Sequence, residues 1–265
     1  MSFFQLASIP FFLFGLLVGS FLNVCIWRLP AEEQIVRGRS HCRKCRQVIR
    51  WYDNIPVVSF LALRGKCRMC GEPISWQYPI VELTTGLLFT AIWLRFGPSP
   101  LTAVYVVLAA CLVVLSVIDL REMILPDEIT VPGFVLALAV SGLFPGLHGQ
   151  HSAWHGLLSG ALGAAAGGGL LWVIGVVGSW IFKREAMGGG DVKLMAMVGA
   201  LLGPWKVLLV NLLLAPLLGA AVGLVMKYRY RHDLIPYGPF LSLGTLVAIF
   251  WGDWIIAWYR SSLFL

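Results

Sequence analysis

Two aspartates adjoin long apolar segments of the chain, where a carboxylate could act as an acid or a base. Asp119 lies at the end of one apolar run, in IDLREMILPD, and Asp191 lies at the start of another, in GGGDVKLMAM. Because an ionisable group is costly at membrane depth, each is a candidate for function. The alternative is that both are helix-end acids, with Asp191 as an N-cap and Asp119 facing the aqueous loop.

Two carboxylates that approach each other supply both a general base and a general acid. They do not both ionise readily, so one keeps its proton while the other is charged. The charged carboxylate would take a proton from water, and the protonated one would protonate a peptide carbonyl oxygen and later the leaving amine. Asp119 and Asp191 are therefore predicted to hydrolyse a peptide bond without a metal.

Three glycines, Gly188, Gly189 and Gly190, directly precede Asp191. Glycine permits unusual backbone dihedral angles and lets one backbone approach another closely. The run therefore predicts an irregular backbone that faces the substrate and aims Asp191. The alternative is that these glycines only form a flexible joint between two spans.

Three further polar residues are candidates for a supporting role at this site. Glu82 lies early in an apolar span and is either an interface acid or, as we favour, a cavity residue. Asp127 either assists the reaction or caps the helix that follows it. Lys193 is expected to extend from its apolar segment towards the cytoplasm. The predicted supporting residues are Gly188, Gly190, Asp127, Lys193 and Glu82.

Four cysteines form two C-x-x-C pairs, CRKC at 42–45 and CRMC at 67–70, separated by 21 residues. This gap is just beyond the usual zinc-ribbon spacing of about 15–20 residues. Two such pairs can close a tetrahedral sulfur shell around zinc. The alternative is a redox dithiol pair or uncommitted thiols. We predict a structural zinc ion, since a loop of this size has little core of its own. The predicted ligands are Cys42, Cys45, Cys67 and Cys70.

The composition is that of a polytopic membrane protein. Of the 265 residues, 58% are hydrophobic and 12% are charged, whereas soluble domains carry about 25% charged residues. A span needs about 20 apolar residues, and the apolar runs predict eight transmembrane helices. The predicted spans lie near residues 5–27, 78–95, 101–118, 129–147, 153–182, 192–203, 205–226 and 236–258. The sixth is short, because Gly203-Pro204 separates it from the seventh.

Basic residues predict the orientation of these spans. The net charge of +7 indicates topology rather than binding to nucleic acid, and no nucleic acid partner is expected. With eight spans, 17 of the 20 Lys and Arg residues fall on one side. Loops rich in Lys and Arg face the cytoplasm, so both termini are predicted to be periplasmic and the cysteine-bearing loop to be cytoplasmic.

Small residues fill the stretch GALGAAAGGG at 160–169, which superficially resembles a phosphate-binding loop. The pattern lacks a preceding strand, and small residues are what close helix packing in lipid requires. We therefore interpret this stretch as a helix-packing surface.

The expected fold is an all-α polytopic membrane protein with about eight transmembrane helices. A small cytoplasmic zinc-binding loop domain is expected between helices 1 and 2. The predicted domains are the first transmembrane helix at 1–27, a cytoplasmic four-cysteine domain at 28–77 and a transmembrane aspartyl peptidase domain at 78–265.

Six blocks of this sequence, in this order, resemble the type IV prepilin peptidase family, also called prepilin leader peptidase/N-methyltransferase. The G-x-G-D pattern with a distant aspartate is specific to a class of intramembrane aspartyl proteases. The blocks are GSFLNVCIWRLP (19–30), the two C-x-x-C pairs, ISWQYPIVEL (74–83), IDLREMILPD (118–127), GGGDVKLMAM (188–197) and IPYGPFLSLG (235–244).

The resemblance implies a catalytic pair at Asp119 and Asp191 in a bacterial inner-membrane enzyme. It implies that type IV prepilins or pseudopilins are cleaved after the glycine that precedes their hydrophobic helix. It also implies methylation of the new N-terminus by S-adenosylmethionine, whose binding residues the sequence does not reveal. Gln77 stands where many members carry Arg, and Gly189 stands where a larger residue is common.

Two other interpretations remain open at this point. A transporter could carry a zinc-bound regulatory loop and functional intramembrane acids. A peptidase of this kind could also lack methyltransferase activity.

Overall fold

The computed structural model describes residues 7–35, 40–183, 187–230 and 236–263. Within these ranges the chain is helical with no extended strand, and its only β pairing is two isolated bridges. The predicted first span begins at residue 5, outside the described residues, and part of the predicted four-cysteine domain at 28–77 also lies outside them. The all-α prediction is confirmed.

The described part of the chain forms ten α-helices, numbered in chain order. They are α1 Ser8–Arg28, α2 Val58–Ala62, α3 Gln77–Phe96, α4 Pro100–Glu122, α5 Asp127–Leu143, α6 Ala153–Ala164, α7 Leu170–Phe182, α8 Gly189–Leu209, α9 Ala215–Tyr230 and α10 Gly238–Leu263. Short π-helical turns at Ala165–Gly169 and Val210–Leu214 join α6 to α7 and α8 to α9.

Six helical segments in the described part of the chain are long and apolar enough to cross a membrane. Helix α5 has 17 residues and is slightly shorter than these. The segment Gly189–Val225 has 37 residues and contains a kink at Gly203, where φ is 76° and ψ is 173°. Glycine readily adopts this positive φ. The kink divides the segment in two, so the predicted total of about eight membrane helices is confirmed.

One compact unit comprises Met1–Val114. In this unit the backbones of α1 and α3 are in contact. The contact is so close that a Cβ added to Gly15 would lie 2.7 Å from the Cα of Gly86. The side-chain amide of Asn23 donates a hydrogen bond to the Tyr78 carbonyl oxygen at 3.2 Å, which further ties the two helices together.

The second compact unit comprises Leu115–Leu265, and its core is the packing of α6 against α8. A Cβ on Gly163 would lie 2.1 Å from the carbonyl oxygen of Gly199. The Asn211 amide donates a hydrogen bond to the Gly167 carbonyl oxygen at 2.9 Å. The stretch at 160–169 is therefore a packing surface, as the sequence predicted, because only residues without a side chain allow this approach.

The kink in α8 leaves a carbonyl that the helix itself does not satisfy. Pro204 has no N–H, so the carbonyl of Ala200, four residues earlier, loses its helical partner. The Ser141 hydroxyl donates to this oxygen at 2.7 Å. The Nε2 atom of His148 lies 3.1 Å from the same hydroxyl. These contacts stabilise the bend that separates the sixth and seventh spans.

Replacing Gly163 by alanine should destabilise this core. The added Cβ would overlap the Gly199 carbonyl oxygen, and overpacking of this kind costs about 1–3 kcal/mol. Gly169 is the matched control, since a Cβ there would meet no atom within 4 Å. We expect thermal unfolding in detergent to show a lower Tm for Gly163→Ala and an unchanged or higher one for Gly169→Ala. Equal melting temperatures for the two variants would contradict this packing account.

Candidate active site

Asp119 lies in the last turn of α4 and is buried, with 6% of its surface exposed. Its Oδ2 atom accepts a hydrogen bond from the backbone N–H of Gly238, at 2.8 Å. A buried carboxylate needs such a partner, because desolvation without hydrogen bonds is costly. The alternative that Asp119 is an acid facing the aqueous loop is therefore wrong.

Asp191 lies in the first turn of α8, where Gly188 is the N-cap residue. Asp191 is the third residue of the helix, so it lies within the first turn rather than just before it. Its side chain is half-buried. The alternative that Asp191 serves as the N-cap is therefore also wrong.

The end of α4 and the start of α8 bring the two aspartates into one site. The start of α8 lies against the segment that follows α4, since a Cβ on Gly190 would lie 2.7 Å from the Cβ of Leu125. We call these two residues the aspartate pair. Both belong to the unit Leu115–Leu265, so a single compact unit holds them. Such a pair can combine one proton donor and one proton acceptor.

The glycine run differs from its predicted conformation. Gly188 is extended, with φ −69° and ψ 136°, and the helix begins at Gly189. None of the three glycines has a positive φ. The predicted irregular backbone is wrong beyond Gly188, because Gly189 and Gly190 form the first turn of α8.

Close approach is the property that this glycine run does use. A Cβ on Gly190 would lie 2.7 Å from the Cβ of Leu125. A Cβ on Gly188 would lie 3.2 Å from Oδ2 of Asp191, whereas one on Gly189 would meet nothing within 4 Å. The first and third positions are therefore sterically restricted, and the middle position is open.

Tyr237 and Gly238 also belong to this site, although the sequence alone identified them only as part of a block of resemblance. Burial, followed by the charge of Asp191, raises the pKa of Tyr237 to about 12. Its hydroxyl therefore stays protonated near neutral pH. The Gly-Pro pair at 238–239 could have indicated that Gly238 belongs to the site, because it marks the start of an apolar helix. The free N–H groups at a helix N-terminus interact favourably with carboxylates.

Lys193 and Asp127 pair with each other. The Lys193 Nζ atom lies 2.7 Å from both carboxylate oxygens of Asp127. Their side chains are 44% and 59% exposed, so the pair contributes little to stability. Asp127 is the first residue of α5, and Pro126 is the N-cap residue of that helix.

Glu82 belongs to the unit Met1–Val114 and is buried. Its Oε2 atom accepts the backbone N–H of Val57 at 2.7 Å. Val57 has a positive φ of 60°, which is unfavourable for a β-branched residue. The carboxylate therefore anchors a strained turn.

The four cysteines predicted from the sequence converge on one point. Their sulfur atoms all lie within 4.8 Å of one another, and the Sγ atoms of Cys42 and Cys70 are 3.8 Å apart. A tetrahedral zinc ion with Zn–S distances of about 2.3 Å requires sulfurs about 3.8 Å apart. The Cys42 N–H bonds the Gln47 carbonyl, and the Cys67 N–H bonds the Glu72 carbonyl, so each pair sits in a tight turn. The cluster is suited to bind zinc.

Comparison with known proteins matches two family models to this chain. Residues 13–96 match the bacterial peptidase A24 N-terminal domain, and residues 106–224 match the type IV leader peptidase family. The match to the second family includes both members of the aspartate pair. No solved structure matches the chain.

Three curated relatives are each named prepilin leader peptidase/N-methyltransferase. The protein from Myxococcus xanthus is 46% identical over 83% of this chain, which spans 63% of that protein. The protein from Aeromonas hydrophila is 38% identical, over 95% of this chain and 93% of its own length. The protein from Pseudomonas putida is 38% identical, over 92% of this chain and 90% of its own length. The matches to the last two relatives cover nearly the whole chain. The chain therefore belongs to the type IV leader peptidase family.

Proposed function

We propose that this chain is a bacterial inner-membrane aspartyl endopeptidase that removes the basic leader of type IV prepilins or pseudopilins. We propose further that it methylates the new N-terminal residue with S-adenosylmethionine. The observation that carries the peptidase proposal is that Asp119 and Asp191 lie in one compact unit, where the start of α8 packs at Gly190 against Leu125, just after the end of α4. Membership of the family and the names of the relatives support both activities.

The proposed reaction needs only the aspartate pair and a water molecule. One carboxylate takes a proton from the water molecule, and the water oxygen bonds to the peptide carbonyl carbon. The other carboxylic acid protonates the carbonyl oxygen. The C–N bond then breaks as the leaving nitrogen takes up a proton, which yields a carboxylate product and a free amine.

The position of the aspartate pair suits a substrate that lies partly in the bilayer. Asp119 lies at the end of α4, and Asp191 lies at the start of α8. The distribution of Lys and Arg among the loops predicts that both of these helix ends face the cytoplasm. In this orientation both termini are periplasmic and the four-cysteine domain is cytoplasmic. A prepilin helix in the bilayer with its leader in the cytoplasm would place the scissile bond at the depth of Asp119 and Asp191.

Acidic side chains near the aspartate pair would attract a basic leader. Glu122 is the last residue of α4 and Glu128 is the second residue of α5, so both lie close along the chain to Asp119. Asp127, the first residue of α5, is already engaged by Lys193, and Glu122 pairs with Arg121 at 3.4 Å. Glu128 is therefore the better candidate for contacting the leader, and the Lys193–Asp127 pair links the start of α8 to the start of α5.

The four-cysteine domain is proposed to take a structural role. Four sulfur ligands complete a tetrahedral zinc shell and leave no open position for a reacting water. Zinc bound there would fold the loop. The proposed domain division is residues 1–27, 28–77 and 78–265, with the peptidase chemistry in the last.

Leucine substitutions in the glycine run should separate its three positions. Gly190→Leu forces a side chain against Leu125 and displaces the start of α8, and Gly188→Leu crowds the Asp191 carboxylate. A misplacement of about 1 Å can cost roughly 10²-fold in rate, so both should cleave much more slowly. Gly189→Leu, the matched control, should cleave almost normally.

The measurement is a cleavage time course on the three variants at matched membrane levels. If Gly189→Leu is as slow as the other two, the position-specific packing account fails. If all three cleave at the wild-type rate, the glycines are only a joint between spans.

The proposed function is tested with purified protein in nanodiscs and a full-length prepilin. Cleavage is followed by gel shift, and methylation by transfer of label from S-adenosylmethionine. Cleavage with methylation supports the full proposal, whereas cleavage alone identifies a peptidase that lacks methyltransferase activity. Absence of both, together with proton-coupled solute flux in proteoliposomes, would instead identify a transporter.

A further inference from the structure

The N-terminus of α10 is in direct contact with the aspartate pair. Gly238 is the first residue of this 26-residue helix, and its N–H donates to Oδ2 of Asp119 at 2.8 Å. The two residues are 119 positions apart in the chain. This contact joins the block 235–244 to the site, although the proposed reaction gives that block no role.

In the first turn of α10, Gly238 has the N–H group that is available to bond a residue outside the helix. The first N–H groups of a helix have no partner within it. Here the N–H groups of Phe240 and Leu241 bond the Tyr237 carbonyl oxygen. Pro239 has no N–H. Gly238 therefore directs its N–H at Asp119 without competition from the rest of the first turn.

A side chain at position 238 would displace the Asp119 carboxylate. A Cβ there would lie 2.8 Å from Oδ2 of Asp119 and 3.3 Å from its Cγ. The backbone thus lies directly against the carboxylate. Among the described residues, the Gly238 N–H donates to this carboxylate, and it bonds Oδ2 rather than Oδ1.

We propose that Gly238 is a positioning residue for Asp119: its N–H holds Oδ2, so that Oδ1 is the oxygen that exchanges the proton with water or substrate. This inference rests on the proposed function of the aspartate pair. The bond is charge-assisted when Asp119 is ionised, which makes it shorter and stronger than a neutral one. The helix N-terminus also offsets the unfavourable position of Asp119 at the negative end of α4.

The decisive variant removes the donor and leaves every side chain in place. Cell-free synthesis into nanodiscs can insert glycolic acid at position 238, so that an ester oxygen replaces the N–H. Gly238→Ala is the companion variant, in which the added Cβ displaces the Asp119 carboxylate. Gly252→Ala, in the same helix, is the control, because its Cβ would make only ordinary contacts at 3.4 Å or more.

We expect the ester variant to lower kcat about 10- to 100-fold with KM changed less than about threefold, since it loses a hydrogen bond to a charged group. Gly238→Ala should lose at least as much kcat, and Gly252→Ala should match the wild type. Rates are normalised to folded protein from thermal unfolding.

An ester variant with wild-type kcat overturns the inference, as does a loss that appears in KM alone or disappears on normalisation to folded protein. These outcomes are distinct from failure of the proposed function. That failure would be an inactive wild type, or activity that survives Asp119→Asn.

Discussion

Asp119→Asn and Asp191→Asn should each lower the rate of prepilin cleavage by roughly 10³-fold or more, because general acid–base catalysis contributes about 10²- to 10⁴-fold. Asparagine keeps the size of the side chain but can neither take up nor release the proton. The pair acts as a unit, so the double variant should be little slower than either single variant. The measurement is single-turnover cleavage of a full-length prepilin by protein in nanodiscs.

Asp253→Asn is the control for this experiment. Asp253 lies in the same compact unit, is 81% exposed and pairs with Lys206. The Asp253→Asn variant should cleave the prepilin at the wild-type rate. A single variant of the aspartate pair that inserts normally and keeps near-full cleavage would rule out the proposed mechanism. Methylation of a substrate that is already cleaved should survive both changes, since neither carboxylate is proposed to bind the methyl donor.

Purified protein should contain one zinc ion per chain, and the double variant Cys42→Ser with Cys67→Ser should contain none. Each substitution removes one thiolate from a different C-x-x-C pair. Zinc contributes about 10–16 kcal/mol of apparent binding free energy in zinc-finger peptides, and that energy drives their folding. We therefore expect the double variant to lose both the metal and the fold of residues 40–77.

The burial pattern explains why this loop would depend on metal. Among the described residues 40–77, only Pro56 and Ser59 are buried. Cys111→Ser is the control, because Cys111 lies in α4 and outside the cluster. Metal analysis, with protease sensitivity of the loop, is the measurement. Zinc content that is unchanged in the double variant, or absent from freshly prepared wild type, would contradict the prediction.

Sequence alone determined the class of protein and the places of its helices. Apolar runs of about 20 residues have no stable alternative to a membrane helix, so composition and length suffice to locate them. The cysteine cluster was equally readable, since each C-x-x-C pair presents its sulfurs from one local turn. The packing surface at 160–169 was also predicted, because small residues on a helix let a neighbouring helix approach closely.

The tertiary structure decided what the aspartates and glycines touch. The Gly238 N–H reaches Asp119 across 119 residues of chain, and no local pattern encodes that contact. It also decided that Gly190 is needed for its approach to Leu125, where the sequence allowed either close approach or unusual dihedral angles. Glycine permits both, so its presence does not distinguish them. Only the packing of α8 against its neighbours, which is a property of distant residues together, shows that space is what this position requires.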